Sequence, residues 1–342
     1  MSVITPALGC NQGQVTSTMT KITTPGRFAL SLVIGCAIYL VSAADRVPAR
    51  NGPAVFGSWP NQAVSPAPAP IINGGLPEVS PDGLHIEFVS DRAGNDDLFV
   101  ISRDGTGEVQ LTHTPEHESP EGWTRDGKRT LFSVFVNDAT QLYTIDLQGK
   151  ARHQLGSVAG RAPVLSPDRK RVLYIAGTWT QMRLMGSALD GSNSQQITDG
   201  SSIAWNSHWS PDGKRIAFTG RNEPKGELAV FVMNADGSAR HQVTHFAAEV
   251  GGAQWPVWSP NGRQIAIQVN NRTQKNSAHI WVVDVVTGEA HLLAAHDRPY
   301  LDETPSWFPD GKRIAFQSNR TGQMEIWVMN VDGSRPRQVT GL

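Results

Sequence analysis

The feature that most constrains this chain is a turn sequence of the type Ser-Pro-Asp-Gly, which recurs six times. The copies begin at Ser80, Thr124, Ser166, Ser210, Ser259 and Phe308, at spacings of 44, 42, 44, 49 and 49 residues. A unit of this length that repeats through most of a chain indicates a part of the fold, not a duplicated site. Function is therefore expected outside the repeated residues.

Short runs of strand-forming residues surround each turn. An apolar residue precedes every copy, at Val79, Trp123, Leu165, Trp209, Trp258 and Trp307. In the fourth unit the runs RIAF (215–218) and VFVMN (230–234) follow, and Gln242-Val243-Thr244 ends the unit. The Pro and Gly positions suit tight turns between strands. Four short strands per unit predict an all-β, six-bladed β-propeller of four-stranded antiparallel blades over residues 72–342.

The repeat resembles that of a known family of propellers. The sequence WSPDGKRIAF (209–218), which returns as WFPDGKRIAF (307–316), resembles the WD-like, PD40-type repeat of TolB-like propellers. The resemblance covers about 270 of the 342 residues and implies a six-bladed fold with a role in the cell envelope. The N-terminal α/β domain of TolB is lacking in this sequence, so the resemblance does not imply partners that engage that domain.

The first 71 residues predict export. Lys21 and Arg27 precede the apolar run FALSLVIGCAIYLVSA (28–43), which is typical of a signal peptide cleaved near Ala43 or Ala44. An uncleaved membrane anchor and lipidation at Cys36 stay open as alternatives, and translation could begin at Met19. The Pro- and Ala-rich residues 44–71 are typical of an extended linker. We expect a periplasmic or extracellular protein.

Composition and motifs exclude several classes of function. The chain has 30 basic and 31 acidic residues without a charged block, so nucleic-acid binding is not expected. Its two cysteines, Cys10 and Cys36, precede the propeller, which therefore has no disulfide or cysteine nucleophile. Similar propellers precede the hydrolase domain of prolyl oligopeptidases, but no Gly-x-Ser-x-Gly sequence occurs here. The sequence favours a protein that is not an enzyme.

Loop lengths separate the two faces of the predicted ring. Connections after the first and third strands of each unit are uniform tight turns. Connections between the second and third strands and between units are long and varied, as at 221–227 and 294–305. In an antiparallel blade both long classes emerge on one side, which we call the long-loop face; the opposite side is the turn face. Variable loops on a rigid scaffold usually carry binding.

Nine residues near the long-loop face and the predicted central channel are candidates for a binding site. They are Glu116, His117, Glu118, Trp205, His208, Trp255, His296, Asp302 and Glu303. Histidines near carboxylates suit a divalent cation or a polar ligand, although a solvated rim of ordinary surface charges explains any single residue more simply. Trp205 and Trp255 are of interest because they lie outside the tryptophan columns, which predict packing between blades.

The leading hypothesis is an exported, non-catalytic, monomeric propeller without a cofactor, which binds a protein or peptide of the cell envelope on the long-loop face. The alternative is a metal-dependent carbohydrate-active enzyme similar to oligogalacturonate lyases. In that case a divalent cation in the channel mouth would be held near Glu116, His117, His208 and Asp302.

Overall fold

The computed structural model describes residues 74–178, 182–200, 203–221, 226–247, 250–294 and 298–341. The predicted signal peptide and linker lie outside these residues, as does His296. Among the described residues, no helix has the length and apolarity needed to cross a membrane.

Twenty-four strands form six four-stranded antiparallel sheets, and each sheet uses consecutive strands. The predicted six-bladed propeller is therefore confirmed. Blades one and two contain β1 (Gly75–Val79), β2 (His85–Ser90), β3 (Asp97–Ser102), β4 (Val109–Gln110), β5 (Glu118–Trp123), β6 (Arg129–Val136), β7 (Ala139–Asp146) and β8 (His153–Val158). Blades three and four contain β9 (Arg161–Leu165), β10 (Arg171–Ala176), β11 (Arg183–Ala188), β12 (Gln195–Gln196), β13 (Ala204–Trp209), β14 (Arg215–Gly220), β15 (Ala229–Asn234) and β16 (His241–Gln242). Blades five and six contain β17 (Ala253–Trp258), β18 (Gln264–Asn270), β19 (Ala278–Asp284), β20 (Ala290–Leu292), β21 (Asp302–Trp307), β22 (Arg313–Ser318), β23 (Glu325–Asn330) and β24 (Arg337–Gln338).

The repeated quartet forms the turn between the first and second strands. In blade four, Ser210 Oγ donates to Asp212 Oδ1 at 2.6 Å, and the Gly213 amide donates to the Ser210 carbonyl at 2.8 Å. Gly213 adopts a left-handed φ of 67°, which explains the glycine at this position. Blade three differs, because Arg169 takes the same position at φ 60°.

The Gln-apolar-Thr sequence closes the end of the fourth strand. In blade four, the Thr244 hydroxyl accepts the amide of Val230 at 2.9 Å, just beyond the last pair of the β15–β16 ladder. Thr112, Thr198 and Thr340 accept equivalent strand-three amides at 2.8–2.9 Å. The Gln242 side chain donates to the Thr244 carbonyl at 2.6 Å. A side chain thus replaces one ladder bond, and the outer strand ends after two residues.

Tryptophans of the column before the turn join neighbouring blades. The indole Nε1 of Trp258 donates to the His208 carbonyl in the preceding blade at 3.2 Å, and Trp307 donates to the Val257 carbonyl at 3.1 Å. Trp123 and Trp209 make the equivalent bond to Glu78 and Val164. These four indoles therefore have a structural role, as the sequence predicts.

Blade two departs from the predicted loop lengths. Its strands β6 and β7 are joined on the long-loop face by Asn137 and Asp138 alone, with left-handed φ values of 52° and 63°. These angles match a tight two-residue hairpin turn, which Asn and Asp favour. The prediction that every second-to-third connection is long is therefore wrong for this blade.

Candidate functional site

The first strands of the six blades contact one another in sequence around the ring and line its central channel. Each of these strands carries a β-bulge whose residue has a left-handed backbone. The bulge residues are Leu76, Gly122, Ala162, Asn206, Trp255 and Thr304. Left-handed φ is costly for a residue with a side chain, by about 1–2 kcal/mol. Repetition of this strained geometry around the channel indicates that the bulge is a fixed element of the fold.

A group of ionisable side chains lies between the bulges and the turn face. It contains Glu78 and Glu87 of blade one, Glu121 of blade two, Arg169 of blade three and His208 of blade four. We call it the channel cluster. Burial raises the pKa of Glu78 to about 7, against an opposing effect of Arg169. Burial also raises the pKa of Glu87 and of Glu121 well above the ordinary value, because water no longer solvates their charges.

His208 belongs to this cluster as a neutral imidazole. Its Nδ1 donates to the carbonyl of Trp209 at 2.9 Å, which leaves Nε2 as an acceptor. Burial lowers the pKa of His208 to about 4, and the nearby Arg169 charge acts in the same direction. His208 is therefore uncharged at neutral pH.

Four buried polar atoms on or beside the first strands of blades four to six have no hydrogen-bond partner within the described residues; three belong to first strands and the fourth, on Gln268, belongs to the neighbouring second strand β18. They are Trp205 Nε1, Asn206 Nδ2, Gln268 Oε1 and Thr304 Oγ1. The residues carrying them are no more than 9% exposed and come from blades four, five and six. Such atoms normally find a partner, so these four are candidates for contact with a polar ligand, although other blades of the described part of the chain also carry unpartnered buried atoms.

Glu303 and Trp255 belong to the same part of the wall. The Glu303 carboxylate accepts amide bonds from Gln268 and Gln317, each at 3.0 Å, and burial raises its pKa to about 7. Trp255 is partly exposed and holds the left-handed bulge position at φ 54°. Together with Trp205, they give this half of the channel two indole rings beside the Glu303 carboxyl group.

Asp302 has a different environment at the start of β21. Both of its carboxylate oxygens lie 2.8 Å from Arg320 Nη2. The Arg320 guanidinium in turn stacks on Trp327, 4.6 Å from the ring centre. This paired carboxylate stabilises the start of an inner strand and is not free to bind a ligand.

Glu116 and His117 lie in the link between blades one and two, and Glu118 begins β5. His117 Nδ1 lies 2.8 Å from Asp96 Oδ2, and this contact raises the pKa of His117. Glu118 is 3% exposed, receives the Thr114 hydroxyl, and has its pKa raised to about 7 by burial. Glu116 is exposed, and its pKa is lowered by a hydrogen bond with Thr114.

The candidates therefore divide into separate groups. Trp205, Trp255, His208 and Glu303 belong to the channel-lining strands, as does Glu118 at the start of β5, whereas Glu116 and His117 lie in the blade one–two link and Asp302 pairs with Arg320. Among the described residues, no set of three or more His, Cys, Asp or Glu side chains is arranged to hold a metal ion. Sequence reasoning missed Glu78, Glu87 and Arg169. Only Arg169 had a visible signal, since it replaces the expected glycine of a turn.

Comparison with known proteins agrees with this architecture. The family model described as the TolB beta propeller domain, PD40, matches residues 178–341. The crystal structure of TolB from Acinetobacter baumannii superposes with a TM-score of 0.63 at 20% identity, over 76% of this chain and 64% of that chain. An oligogalacturonate lyase in complex with manganese gives a TM-score of 0.54 at 16% identity, over 79% of this chain and 77% of that chain. The chain is a six-bladed β-propeller, and the TolB-type family model matches its C-terminal repeats.

Two relatives show how widely this propeller is used. An uncharacterized protein of Agrobacterium fabrum is 26% identical over 199 residues, which are 55% of this chain and 67% of the relative. Dipeptidyl-peptidase 5 of Porphyromonas gingivalis is 23% identical over 272 residues, which are 62% of this chain but only 40% of the peptidase. The similarity therefore concerns the propeller, and function has to be argued from this chain's own residues.

Proposed function

We propose that this propeller binds a protein or peptide partner at the long-loop mouth of its channel, without catalysing a reaction. The observation that carries the proposal is the set of four unpartnered buried polar atoms on or beside the first strands of blades four to six, together with the partly exposed Trp255. A peptide offers both donors and acceptors along its backbone, so it can satisfy amide, indole and hydroxyl groups together. Trp is a frequent anchor of such interfaces.

The surrounding loops support the same mouth. Connections that border it range from two residues in blade two to ten residues between β16 and β17. The rim of the long-loop face is therefore uneven in height, and it is lowest at blade two, where the loop is shortest. We also propose that the protein is exported to the envelope, on the strength of residues 28–43.

Capture from an envelope extract tests the proposal if matched variants are used as bait. Trp255→Asn removes the aromatic side chain, and Asn suits the left-handed backbone, as Asn206 shows in the next blade. Leu84→Ser alters an exposed apolar residue on the turn face and is the control. We expect one partner to be captured by the wild type and by Leu84→Ser, and at least tenfold less by Trp255→Asn. Equal capture by all three baits would contradict the proposed site.

The enzyme alternative predicts different results. Purified protein would then cleave oligogalacturonate or a related polysaccharide with a divalent cation, and a His117→Ala, His208→Ala double variant would lose that activity. We expect no turnover and the same capture of partner by the double variant. Metal-dependent turnover that the double variant loses would replace the binding proposal.

A further inference from the structure

Arg169 stands where the turns between the first and second strands of the other five blades have glycine. The other five turns have Gly at this position, with φ between 66° and 68°, and Arg169 adopts 60°. This left-handed backbone is unfavourable for arginine, because its Cβ crowds the following carbonyl oxygen, whereas glycine has no Cβ. Backbone strain at a single position of a repeat indicates that the side chain there, Arg169, has a functional role.

The Arg169 side chain enters the turn-face end of the channel. Its Nη2 atom and Glu78 Oε2 each lie 3.9 Å from the point where a Cβ on Gly122 would stand. Because Gly122 has no side chain, it places no atom between the Arg169 guanidinium and the Glu78 carboxyl group. The two groups nevertheless make no ion pair, and the guanidinium donates no hydrogen bond to any described residue. Burial lowers the pKa of Arg169, as expected for a cation with reduced hydration.

A second unpartnered group faces the same region. Glu87 is fully buried, and neither of its carboxyl oxygens meets hydrogen-bond geometry with a described residue. The Thr130 hydroxyl and the Gly122 amide lie close enough to lower its pKa, but burial and the charges of Glu78 and Glu121 raise it more. A half-buried cation and a fully buried carboxyl group, each without a side-chain partner among the described residues, are both costly.

We propose that the turn-face end of the channel binds a carboxylate, which pairs with the Arg169 guanidinium and shares a proton with Glu78. A guanidinium matches a carboxylate geometrically through two parallel N–H donors. Three neighbouring carboxyl groups disfavour a dianion such as phosphate, whereas a monoanion can form an acid–carboxylate pair with a protonated neighbour. The site is separate from the long-loop mouth, because Arg169 belongs to a turn on the turn face, at the opposite end of the channel.

The groups that face the bound carboxylate set the pH dependence. Arg169 attracts it at all relevant pH values, and His208 is neutral. Burial raises the pKa of Glu87 and of Glu121 well above the ordinary value, which favours the uncharged form of both groups. Glu78, which Ser306 hydrogen-bonds, has a pKa of about 7. Below that pH its carboxyl group can donate a proton to the bound carboxylate in a hydrogen bond, and above it the two negative charges repel each other. Between pH 6 and pH 8 the protonated fraction of Glu78 falls about tenfold, so affinity should fall by about the same factor.

Side-chain NMR of the purified protein tests the site. Sodium acetate is titrated at constant ionic strength, and the Arg Nε–H resonance that disappears in Arg169→Gly is followed at pH 6 and pH 8. We expect a saturable shift at pH 6, about tenfold weaker binding at pH 8, and no tighter binding of inorganic phosphate. Tri-alanine with a free carboxylate and its amide show whether a peptide terminus also enters, and the amide should not bind.

Variants separate binding from folding. Arg169→Gly restores the turn residue of the other blades and should fold, but it should not bind acetate. Glu78→Gln should bind with little difference between pH 6 and pH 8. Arg125→Gly removes an exposed arginine from the blade-two turn and should behave as wild type. No saturable shift of the Arg169 resonance with acetate, or a shift that persists unchanged at pH 8, would overturn the proposal.

Discussion

Individual residues explain the repeat through the backbone groups that they satisfy. The threonine of the Gln-apolar-Thr sequence has a structural role, because its hydroxyl accepts a hydrogen bond from a strand-three amide in four blades. The sequence pattern predicted a fourth strand here but not the reason for its conserved chemistry within the repeat. Hydrogen-bond geometry supplies that reason.

Replacement of Thr244 by Val should cost about 1–3 kcal/mol of the free energy of unfolding, because it leaves the buried Val230 amide without an acceptor. Thr219 is the matched control in the same blade, since it is fully buried and its hydroxyl has no partner among the described residues. Thr219→Val should be neutral within about 0.5 kcal/mol, or stabilising. Urea unfolding of both variants measures the difference, and equal losses would contradict the role of Thr244.

Elements of neighbouring blades meet at closely packed turns. A Cβ on Gly333, in the turn between β23 and β24, would lie 1.4 Å from the Leu293 carbonyl oxygen of the preceding blade. Gly237 approaches the Ile197 carbonyl oxygen similarly, at 2.4 Å. The sequence predicted these glycines as left-handed turn residues. It could not show that they also permit contact between blades, since that contact joins residues about 40 positions apart.

Comparison of Gly333→Ala with Gly311→Ala separates this contact from backbone strain. Both glycines have left-handed φ values, 79° and 66°, but nothing lies within 4 Å of a Cβ on Gly311. Gly311→Ala should lose about 1–2 kcal/mol from strain alone. Gly333→Ala should lose clearly more, about 3 kcal/mol or above, because backbone atoms must move. Thermal unfolding measures both, and similar losses would show that the blades adjust freely.

Trp307 and Trp327 test the seam between blades five and six in the same way. The Trp307 indole donates to Val257, whereas the Trp327 Nε1 is buried without an acceptor among the described residues. Trp307→Phe should therefore cost about 0.5–1.5 kcal/mol more than Trp327→Phe, as measured by urea unfolding. A larger loss at Trp327 would contradict the structural role of the tryptophan column.

The whole molecule combines a regular scaffold with irregular features that a repeat pattern cannot reveal. Blade number, strand order and the turn face were predictable because each depends on local turn chemistry repeated six times. The channel lining was only partly predictable. Trp205 and Trp255 were found because they lie outside the tryptophan columns, and His208 because a long loop between blades leads to its strand, whereas Glu78 and Glu87 have the pattern of ordinary strand residues. Their environment arises from blades one, two and three, which meet only in the closed ring.

Stability should fall as pH rises above neutrality. Burial raises the pKa of Glu78 and Glu303 to about 7, and that of Glu87 and Glu121 well above the ordinary value of 4.5. The folded protein therefore holds protons that the unfolded chain has released, so the free energy of unfolding falls from pH 4.5 through 7 and beyond. His208, with its pKa lowered to about 4, opposes this trend only up to pH 6.5. Its effect is then complete.

Urea unfolding at pH 6.5 and pH 8.5 measures this trend without interference from His208. For each carboxyl group that is protonated in the folded protein and ionised in the unfolded chain, the free energy of unfolding should fall by on the order of 1 kcal/mol per pH unit. His117 adds in the same direction, because Asp96 raises its pKa. Glu87→Gln should flatten the dependence, because it removes a buried carboxyl group whose pKa is raised. Stability that rises toward pH 8.5 would contradict the burial of these carboxyl groups.

Partner binding at the long-loop mouth is tested most directly by site-specific photo-crosslinking in the cells that make the protein. A photoreactive phenylalanine replaces Trp255 in one version of the protein and Leu84 in the other. Trp255 is partly exposed at the channel bulge. Leu84 is 47% exposed on the turn face. We predict one crosslinked species of defined mass from position 255 and none from position 84. The same species from position 84, or none from position 255, would contradict binding at the long-loop mouth.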